Sequence, residues 1–172
     1  DTVINGGDGE DRVVIRDDNG VDIDMVDSEV ERVDGGNGGD TIDATGAEDG
    51  VIQVGNGGDD VITGGDGDDR QYGGADNDTI EGGAGNDIIY GQDGNDALDG
   101  GDGNDRVNGG NGDDVINGGD GNDVIVGGEG ADELSGGDGN DTIYVDGADT
   151  VINGGDGEDR VVIRDDNGVD ID

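Results

Sequence analysis

The sequence predicts a stacked-repeat fold in place of a globular domain, on three observations. The pattern GGxGxDxUx, in which U is aliphatic, runs over residues 55–162 without a change of register, which makes twelve units in 108 residues. Glycine supplies 43 of the 172 residues, and only 27% of the residues are hydrophobic, with three tyrosines as the only aromatic residues. Burial of a few aliphatic side chains at ~2 kcal/mol each cannot offset the conformational entropy lost on folding. Something other than an apolar core must stabilise the stack.

The charge of the chain is strongly negative. The formal net charge is −41, from 48 acidic residues against seven arginines and no lysine. This composition alone predicts a disordered polyanion. However, 40 of the acids are aspartate, and short carboxylates among glycines suit tight turns that coordinate a cation.

The composition also excludes several function classes. The chain has no cysteine and no histidine, which removes disulfides, the usual zinc sites, and thiol or imidazole catalysis. Nucleic acid, itself a polyanion, is an implausible partner. No apolar run approaches the ~20 residues that span a bilayer, and no N-terminal signal pattern is present. We therefore expect no nucleic-acid partner, no membrane insertion and no enzymatic activity.

A second repeat operates on a longer scale. Residues 1–24 recur unchanged as residues 149–172, an offset of 148 residues. Twenty-four identities predict a little more than one period of a tandem array, with an artificial duplication as the alternative. The period divides into fourteen units of nine and two of eleven, 15–25 and 44–54. All sixteen units fit one frame, and sixteen is an even number. We therefore treat 1–172 as a single continuous element whose segments 15–34 and 44–54 are irregular.

The units GGAGNDIIY, GQDGNDALD, GGDGNDRVN and GGNGDDVIN, with their successors, resemble the RTX (repeats-in-toxin) family of secreted bacterial proteins. The resemblance covers nearly the whole chain. It implies an all-β fold, a right-handed parallel β-roll (β-solenoid) with two nonapeptide units per turn and calcium ions along both edges. In that family the first six residues of a unit form a calcium-binding turn and the last three a short strand.

The residue pattern agrees with this resemblance. Glycines at positions 1, 2 and 4 let the backbone turn tightly, and the position-6 aspartate supplies a charged ligand. Each turn is then half of a site, completed by the turn stacked two units away. Position 8 should point inward, forming a thin aliphatic core from Ile89, Leu98, Val107, Ile116, Ile125, Leu134 and Ile143. One period should advance the roll by about 38 Å.

The predicted calcium ligands are the position-6 carboxylates. They are Asp11, Asp40, Asp60, Asp69, Asp78, Asp87, Asp96, Asp105, Asp114, Asp123, Asp132, Asp141 and Asp159. The position-3 and position-5 acids, such as Asp102, Asp120 and Asp138, either ligate or only add to the field that attracts cations.

Several departures from the pattern predict weaker or missing calcium sites. Asp76 replaces the position-4 glycine, Gln71 replaces a position-8 aliphatic, and Thr150 stands where an aspartate is expected. Gln92 at position 2 is a milder change. The segment 15–34 lacks glycine pairs, and it either continues the roll without calcium or forms a loop. Its alternating Val21, Ile23 and Met25 favour a strand, and its arginines suggest a lateral contact with a neighbouring rod, although a tolerated insertion is favoured.

These features lead to a functional hypothesis with two rivals. We expect a calcium-dependent rod segment of a secreted filament, adhesin stalk or matrix protein at a bacterial surface, which contacts neighbouring copies of its own repeat and folds on binding calcium outside the cell. The alternative is an RTX accessory module of a type I-secreted enzyme or toxin. A flat ice- or surface-binding threonine ladder is the third reading, but only seven threonines occur and they form no ladder.

Overall fold

Residues 2–3, 11–15, 19–25, 30–164 and 170–171 are described by the computed structural model, and over these residues the chain forms strands and turns without a helix. Nothing in this part of the chain is a helix long and apolar enough to cross a membrane. The strands make two sheets, which take alternate strands of the sequence. The fold is therefore the parallel β-solenoid expected from the repeats, with about eight turns.

Sheet I contains the odd-numbered strands up to β17. Its strands, in spatial order, are β1 (Thr2–Val3), β3 (Asp22–Asp24), β5 (Thr41–Asp43), β7 (Val61–Thr63), β9 (Thr79–Ala84), β11 (Ala97–Asp102), β13 (Val115–Asp120), β15 (Glu133–Asp138) and β17 (Val151–Asp156). Sheet II contains β2 (Arg12–Val14), β4 (Arg32–Asp34), β6 (Ile52–Gly57), β8 (Arg70–Ala75), β10 (Ile88–Asp93), β12 (Arg106–Asn111), β14 (Val124–Glu129), β16 (Thr142–Val145), β18 (Arg160–Arg164) and β19 (Asp170–Ile171).

The strand register confirms two nonapeptide units per turn. Neighbouring strands of a sheet pair in parallel, and from Ile62 onward each residue lies beside the residue eighteen positions along, as Ile62 beside Ile80 and Ile89 beside Val107. Within the described residues the single antiparallel pair is β18 with β19. A nine-residue unit thus contributes one strand to one sheet, and the next unit returns the chain to the other sheet.

The core is a double column of position-8 side chains between the two sheets. All seven predicted core residues, Ile89 to Ile143, are buried and belong to one apolar cluster that also contains Ile62, Ile80 and Val145. A second cluster holds Ile23, Val33, Ile42 and their neighbours. A regular turn buries two aliphatic side chains of this kind, so the core is thin.

The irregular segment 15–34 contributes strands to the roll. Ile23 lies on β3 beside Ile42, and Val33 lies on β4 beside Gln53. Val13, Ile23 and Val33 therefore follow one another at intervals of ten residues, where the sequence suggested a unit of eleven followed by one of nine. The predicted strand through Val21, Ile23 and Met25 is present, and Ile23 and Met25 are both 3% exposed.

Two glutamines interrupt the aliphatic column of sheet II. Gln53 and Gln71 are fully buried and lie side by side, with Gln71 Nε2 donating to Gln53 Oε1 at 3.0 Å. The Nε2 atoms of Gln53 and Gln71 also donate to the carbonyl oxygens of Thr63 and Glu81, at 2.8 and 2.9 Å. The Oε1 atom of Gln71 has no hydrogen-bond partner. This pair separates the two apolar clusters.

Replacing Gln53 and Gln71 together with leucine is expected to raise the free energy of unfolding in calcium by about 1–3 kcal/mol, because a buried acceptor without a donor is removed. The carbonyls of Thr63 and Glu81 keep the hydrogen bonds that they accept from the N–H groups of Ala44 and Gly64. Urea denaturation at saturating calcium measures the change. The single variant Gln71→Leu is the control, since it leaves Gln53 Oε1 without its donor and should be less stable than the double variant. A double variant less stable than the unaltered chain would contradict this account of the core.

The identical segments 1–24 and 149–172 do not pair identically. Ile152 lies on β17 beside Leu134 and is 43% exposed, whereas its counterpart Ile4 lies outside the described residues. Asp22–Asp24 pairs in parallel within sheet I, whereas Asp170–Ile171, from the second copy, folds back antiparallel on β18. The neighbouring strands, and not the local sequence, thus determine how this segment pairs.

Candidate metal centres

The position-6 aspartates form two columns, one along each edge of the roll. The turns that lead into sheet I carry Asp40, Asp60, Asp78, Asp96, Asp114 and Asp132, and the turns that lead into sheet II carry Asp11, Asp69, Asp87, Asp105, Asp123, Asp141 and Asp159. From Asp40 to Asp141 each of these residues is no more than 2% exposed. All thirteen predicted carboxylates are therefore placed in equivalent positions, immediately before a strand.

From Asp40 onward, one oxygen of each of these carboxylates accepts a backbone hydrogen bond from the preceding turn on the same edge. The backbone N–H of Asp87 donates to Oδ1 of Asp105 at 2.8 Å, and the N–H of Asp105 donates to Oδ1 of Asp123 at 2.8 Å. The same bond recurs along the other edge, as from Asp96 to Asp114. Each of these N–H groups lies just before a strand. The hydrogen bonds therefore hold the starts of neighbouring strands beside one another. This structural role of the aspartate was not anticipated from the sequence.

The second carboxylate oxygen is buried and has no hydrogen-bond donor at most of these positions. The unpartnered Oδ2 atoms belong to Asp11, Asp60, Asp78, Asp87, Asp96, Asp105, Asp114, Asp123, Asp132 and Asp141. At Asp40 and Asp69 the Oδ2 atom instead accepts from the N–H of Gly36 and Gly65, each at 2.7 Å. A buried carboxylate oxygen without a donor is costly unless a cation or a proton compensates it.

Glycine at position 1 makes room for this oxygen. A Cβ atom built on Gly109 would overlap Oδ2 of Asp114 and would lie 2.6 Å from the carbonyl oxygen of Gly127, in the next turn on that edge. The carboxylate oxygen and the carbonyl oxygen are thus close neighbours, from stacked turns. Calcium takes oxygen ligands at about 2.3–2.6 Å and accepts backbone carbonyls beside carboxylates. One ion can therefore contact both atoms.

The family comparison follows the same residues. A family model described as the RTX calcium-binding nonapeptide repeat (4 copies) matches the chain over residues 54–80, 72–107, 99–134, 108–143, 126–161 and 135–169. Together these matches cover more than half of the chain. The chain belongs to the RTX calcium-binding nonapeptide repeat family. No curated protein matches it.

RTX repeats bind calcium, and the donors in this chain fit that ion. The described residues contain no group of three or more acidic side chains placed to hold a metal. The ligands around an ion would therefore be at most two carboxylates completed by backbone carbonyl oxygens, as in the pairing of Asp114 with Gly127. An oxygen-only set of this kind suits a hard cation and excludes the nitrogen and sulfur ligands that zinc prefers.

Burial sets the electrostatics of the columns. It raises the pKa of Asp78, Asp87 and Asp114 to about 7, against the lowering effect of the backbone hydrogen bond that each accepts. The pKa values of Asp60, Asp123 and Asp132 are raised to about 6 for the same reason, and neighbouring carboxylates add to the rise. Burial therefore favours the protonated form of these six carboxyls more strongly than water does.

Two acidic residues outside the predicted set occupy places in the columns. The N–H of Asp11 donates to Oε2 of Glu31 at 2.6 Å, so Glu31 takes the position of an aspartate. Near the other end, the N–H of Asp132 donates to Oδ1 of Asp149 at 3.3 Å. The carboxylate that the repeat pattern lacks at Thr150 is thus supplied one residue earlier. The first case had a signal, since Glu31 precedes Arg32 and Val33 as Asp11 precedes Arg12 and Val13.

Two residues that depart from the repeat pattern keep the turn conformation of the regular units. Asp76 and Gln92 adopt φ values of 76° and 84°, in the region that glycine occupies in other units. Oδ2 of Asp78, in the unit of Asp76, is buried and unpartnered as in regular units. The position-3 acids Asp102, Asp120 and Asp138 are exposed.

The position-5 residues form a further ladder that was not predicted from the sequence. Asn104 Nδ2 donates to Oδ1 of Asn86 at 3.0 Å, and Asn122 and Asn140 continue the series. The ladder joins exposed turns along one edge of the roll.

The raised pKa values predict that acid partly replaces calcium. A carboxyl whose pKa is raised on folding contributes stability that is complete below the unfolded value near 3.8 and is lost as the pH rises through the folded value. In calcium-free buffer we therefore expect more β-structure at pH 4 than at pH 7.5, with the loss centred between pH 4 and 7. Circular dichroism in buffer freed of metal by a chelating resin tests this, because soluble chelators lose affinity in acid. Less β-structure in acid would contradict the assignment of the columns.

Proposed function

We propose that the chain is a calcium-dependent structural element, a rigid rod segment of a secreted extracellular filament, adhesin stalk or matrix protein. The observation that supports this most directly is the pair of buried aspartate columns with unpartnered Oδ2 atoms. Without calcium these carboxylates repel one another, and the thin core cannot compensate. Binding energy for calcium then becomes folding energy.

The proposal assigns the calcium ligands to the thirteen position-6 aspartates, with Glu31 and Asp149 as additions at the irregular turns. The role is mechanical and not catalytic. A folding switch of this kind suits export, because a chain unfolded at low calcium stiffens where calcium is abundant. The identity of 1–24 with 149–172 favours a tandem array of rods over an accessory module of a secreted enzyme or toxin.

Circular dichroism during calcium titration and subsequent chelation tests the switch. We expect a disordered spectrum without calcium, a cooperative gain of β-signal on titration, and full reversal by chelator. Magnesium at the same concentration is the control, since its smaller shell demands near-octahedral geometry and it releases water reluctantly. An equally folded chain in excess chelator would refute the proposal.

Small-angle scattering distinguishes a continuous rod from an accessory module of a larger protein. A chain with two 148-residue periods should be longer than a chain with one by about 38 Å at an unchanged cross-section. Two independently moving particles, or a compact one, would favour the accessory module.

A further inference from the structure

The two outer faces of the roll differ in charge. Face I is the outward side of sheet I, and face II is the outward side of sheet II, which points the opposite way. All six arginines in the described residues lie on strands of sheet II: Arg12, Arg32, Arg70, Arg106, Arg160 and Arg164. Strands β3 to β17 of sheet I carry acids at outward positions and no arginine, namely Asp22, Asp24, Asp43, Glu81, Asp99 and Glu133.

Some arginines of face II form a salt bridge with an acidic side chain, and others do not. Arg12 and Arg32 both pair with Asp34, at 2.6 Å. Arg70, Arg106 and Arg160 are exposed and form no salt bridge with any described residue, although the chain has 48 acidic residues. Arg70 also interacts with Asp68 through its charge, and all three guanidinium groups are open to carboxylates from outside the chain.

The surroundings of Arg106 are those of an interface. Its neighbours in the strand register are Ile88 and Val124, and it borders a shallow groove of about 70 Å³ that Tyr90, Asn108 and Val126 also line. The Tyr90 ring stacks on that of Tyr72 with centroids 5.3 Å apart. Arginine and tyrosine beside aliphatic side chains are enriched where proteins contact one another.

We propose that face II of one roll docks on face I of a second copy, side by side and in the same direction. Charge complementarity supports this pairing, because in the described part of sheet II the outward residues that precede the turns include one acid, Asp34, which is already paired. The exposed acids Asp93 and Glu129 lie at the turn ends of β10 and β14, away from the row of arginines. The contact uses different faces of each partner, and so it repeats as an open lateral array. It rests on the calcium-folded roll proposed above, since both faces exist only in that state.

The spacing of the charges also fits. Arg70, Arg106 and Arg160 lie on β8, β12 and β18, separated by two and then three strand steps within sheet II. Asp43, Glu81 and Glu133 lie on β5, β9 and β15, separated by two and then three steps within sheet I. With both sheets at a spacing of about 4.8 Å per strand, a single axial shift brings the three strands that carry the arginines opposite the three strands that carry the acids. Asp43 and Glu81 share one row across sheet I, and Glu133 lies two residues away along the strand direction, about 7 Å, which is within the length of an arginine side chain.

A charge swap tests this contact by sedimentation velocity in millimolar calcium at low salt. The unaltered chain should self-associate, and added salt should weaken the association. The variants Arg106→Glu/Arg160→Glu and Glu81→Arg/Glu133→Arg should each lose about tenfold or more in association constant, because like charges then face one another. An equimolar mixture of the two should associate again.

Matched controls separate this contact from general charge effects. Arg106→Gln/Arg160→Gln and Ala75→Asp/Ala84→Asp both lower the net charge by two, and the second pair places aspartate at a turn position where other units already have it. Only the first pair should weaken association. A monomeric unaltered chain at roughly 0.1 mM, a mixture that fails to associate, or association kept by the Glu81→Arg/Glu133→Arg variant would overturn the proposal.

The folded state is monitored separately. Circular dichroism should show the same calcium-dependent β-signal for every variant, because the altered side chains are exposed, apart from the half-buried Ala84 at its turn position. Loss of that signal in the unaltered chain would count against the calcium-dependent rod, whereas a normal signal without association would count against the lateral contact alone.

Discussion

Asp105→Asn is expected to weaken calcium binding beside residue 105 by at least about tenfold, and to raise the calcium concentration at the folding midpoint. The asparagine oxygen can still accept the hydrogen bond from the N–H of Asp87. The amide nitrogen, however, replaces the buried and unpartnered Oδ2, and it offers a donor where a cation ligand is needed. The substitution therefore removes the metal interaction and leaves the hydrogen bond between the two turns in place.

The control for this prediction is Asp102→Asn, in the same unit. It makes the same charge change three residues away, at an exposed side chain. Isothermal titration calorimetry should give a lower number of bound calcium ions for Asp105→Asn and an unchanged number for Asp102→Asn. Equal effects would show that the columns act through general charge and not through ligation.

Gly103→Ala is expected to destabilise the calcium-loaded roll by more than about 3 kcal/mol. Gly103 adopts φ of 142°, a region that side chains disfavour, and a Cβ on it would overlap the carbonyl oxygen of Gly85 in the preceding turn on the same edge. The overlap is with backbone on both sides, so a change of rotamer cannot relieve it. The turns would have to separate, and this would also disturb the aspartate column between them.

Gly147→Ala is the matched control, because a Cβ at Gly147 meets no atom within 4 Å. Thermal denaturation in saturating calcium should show a near-unchanged midpoint for this variant, within about 0.5 kcal/mol of stability. For Gly103→Ala the midpoint should fall sharply. In a solenoid the turns interact with nearest neighbours, and the loss should therefore split one unfolding transition into two.

Much of this fold can be predicted because the same nine-residue unit recurs along the sequence. Because the unit repeats every nine residues, a correct reading of one position gives the environment of its equivalents, and Ile89, Leu98 and Val107 accordingly lie in the core. The same argument places the aspartates at the two edges.

Translation along the sequence does not give the position of a residue that depends on the neighbouring turns. Val13, Ile23 and Val33 are spaced by ten because their strands align with the regular strands beside them, and no local glycine pattern marks those boundaries. Asp149 enters its column from a turn shifted by one residue, which a fixed register cannot predict. The hydrogen bonds through Oδ1 were also missed, because they depend on the distance between stacked turns.

The direction of the bonds between turns bears on how such a rod would respond to force. The ladder hydrogen bonds of both sheets and the Oδ1 contacts of the aspartates run along the axis of the stack, so tension on the ends loads the turns in series. The weakest turn then opens first, while its neighbours keep their structure. Each opened turn releases eighteen residues, or about 60 Å of extended chain. Under tension the rod would lengthen in steps and close again when the force falls, an extensible tether whose step size is set by two nonapeptides.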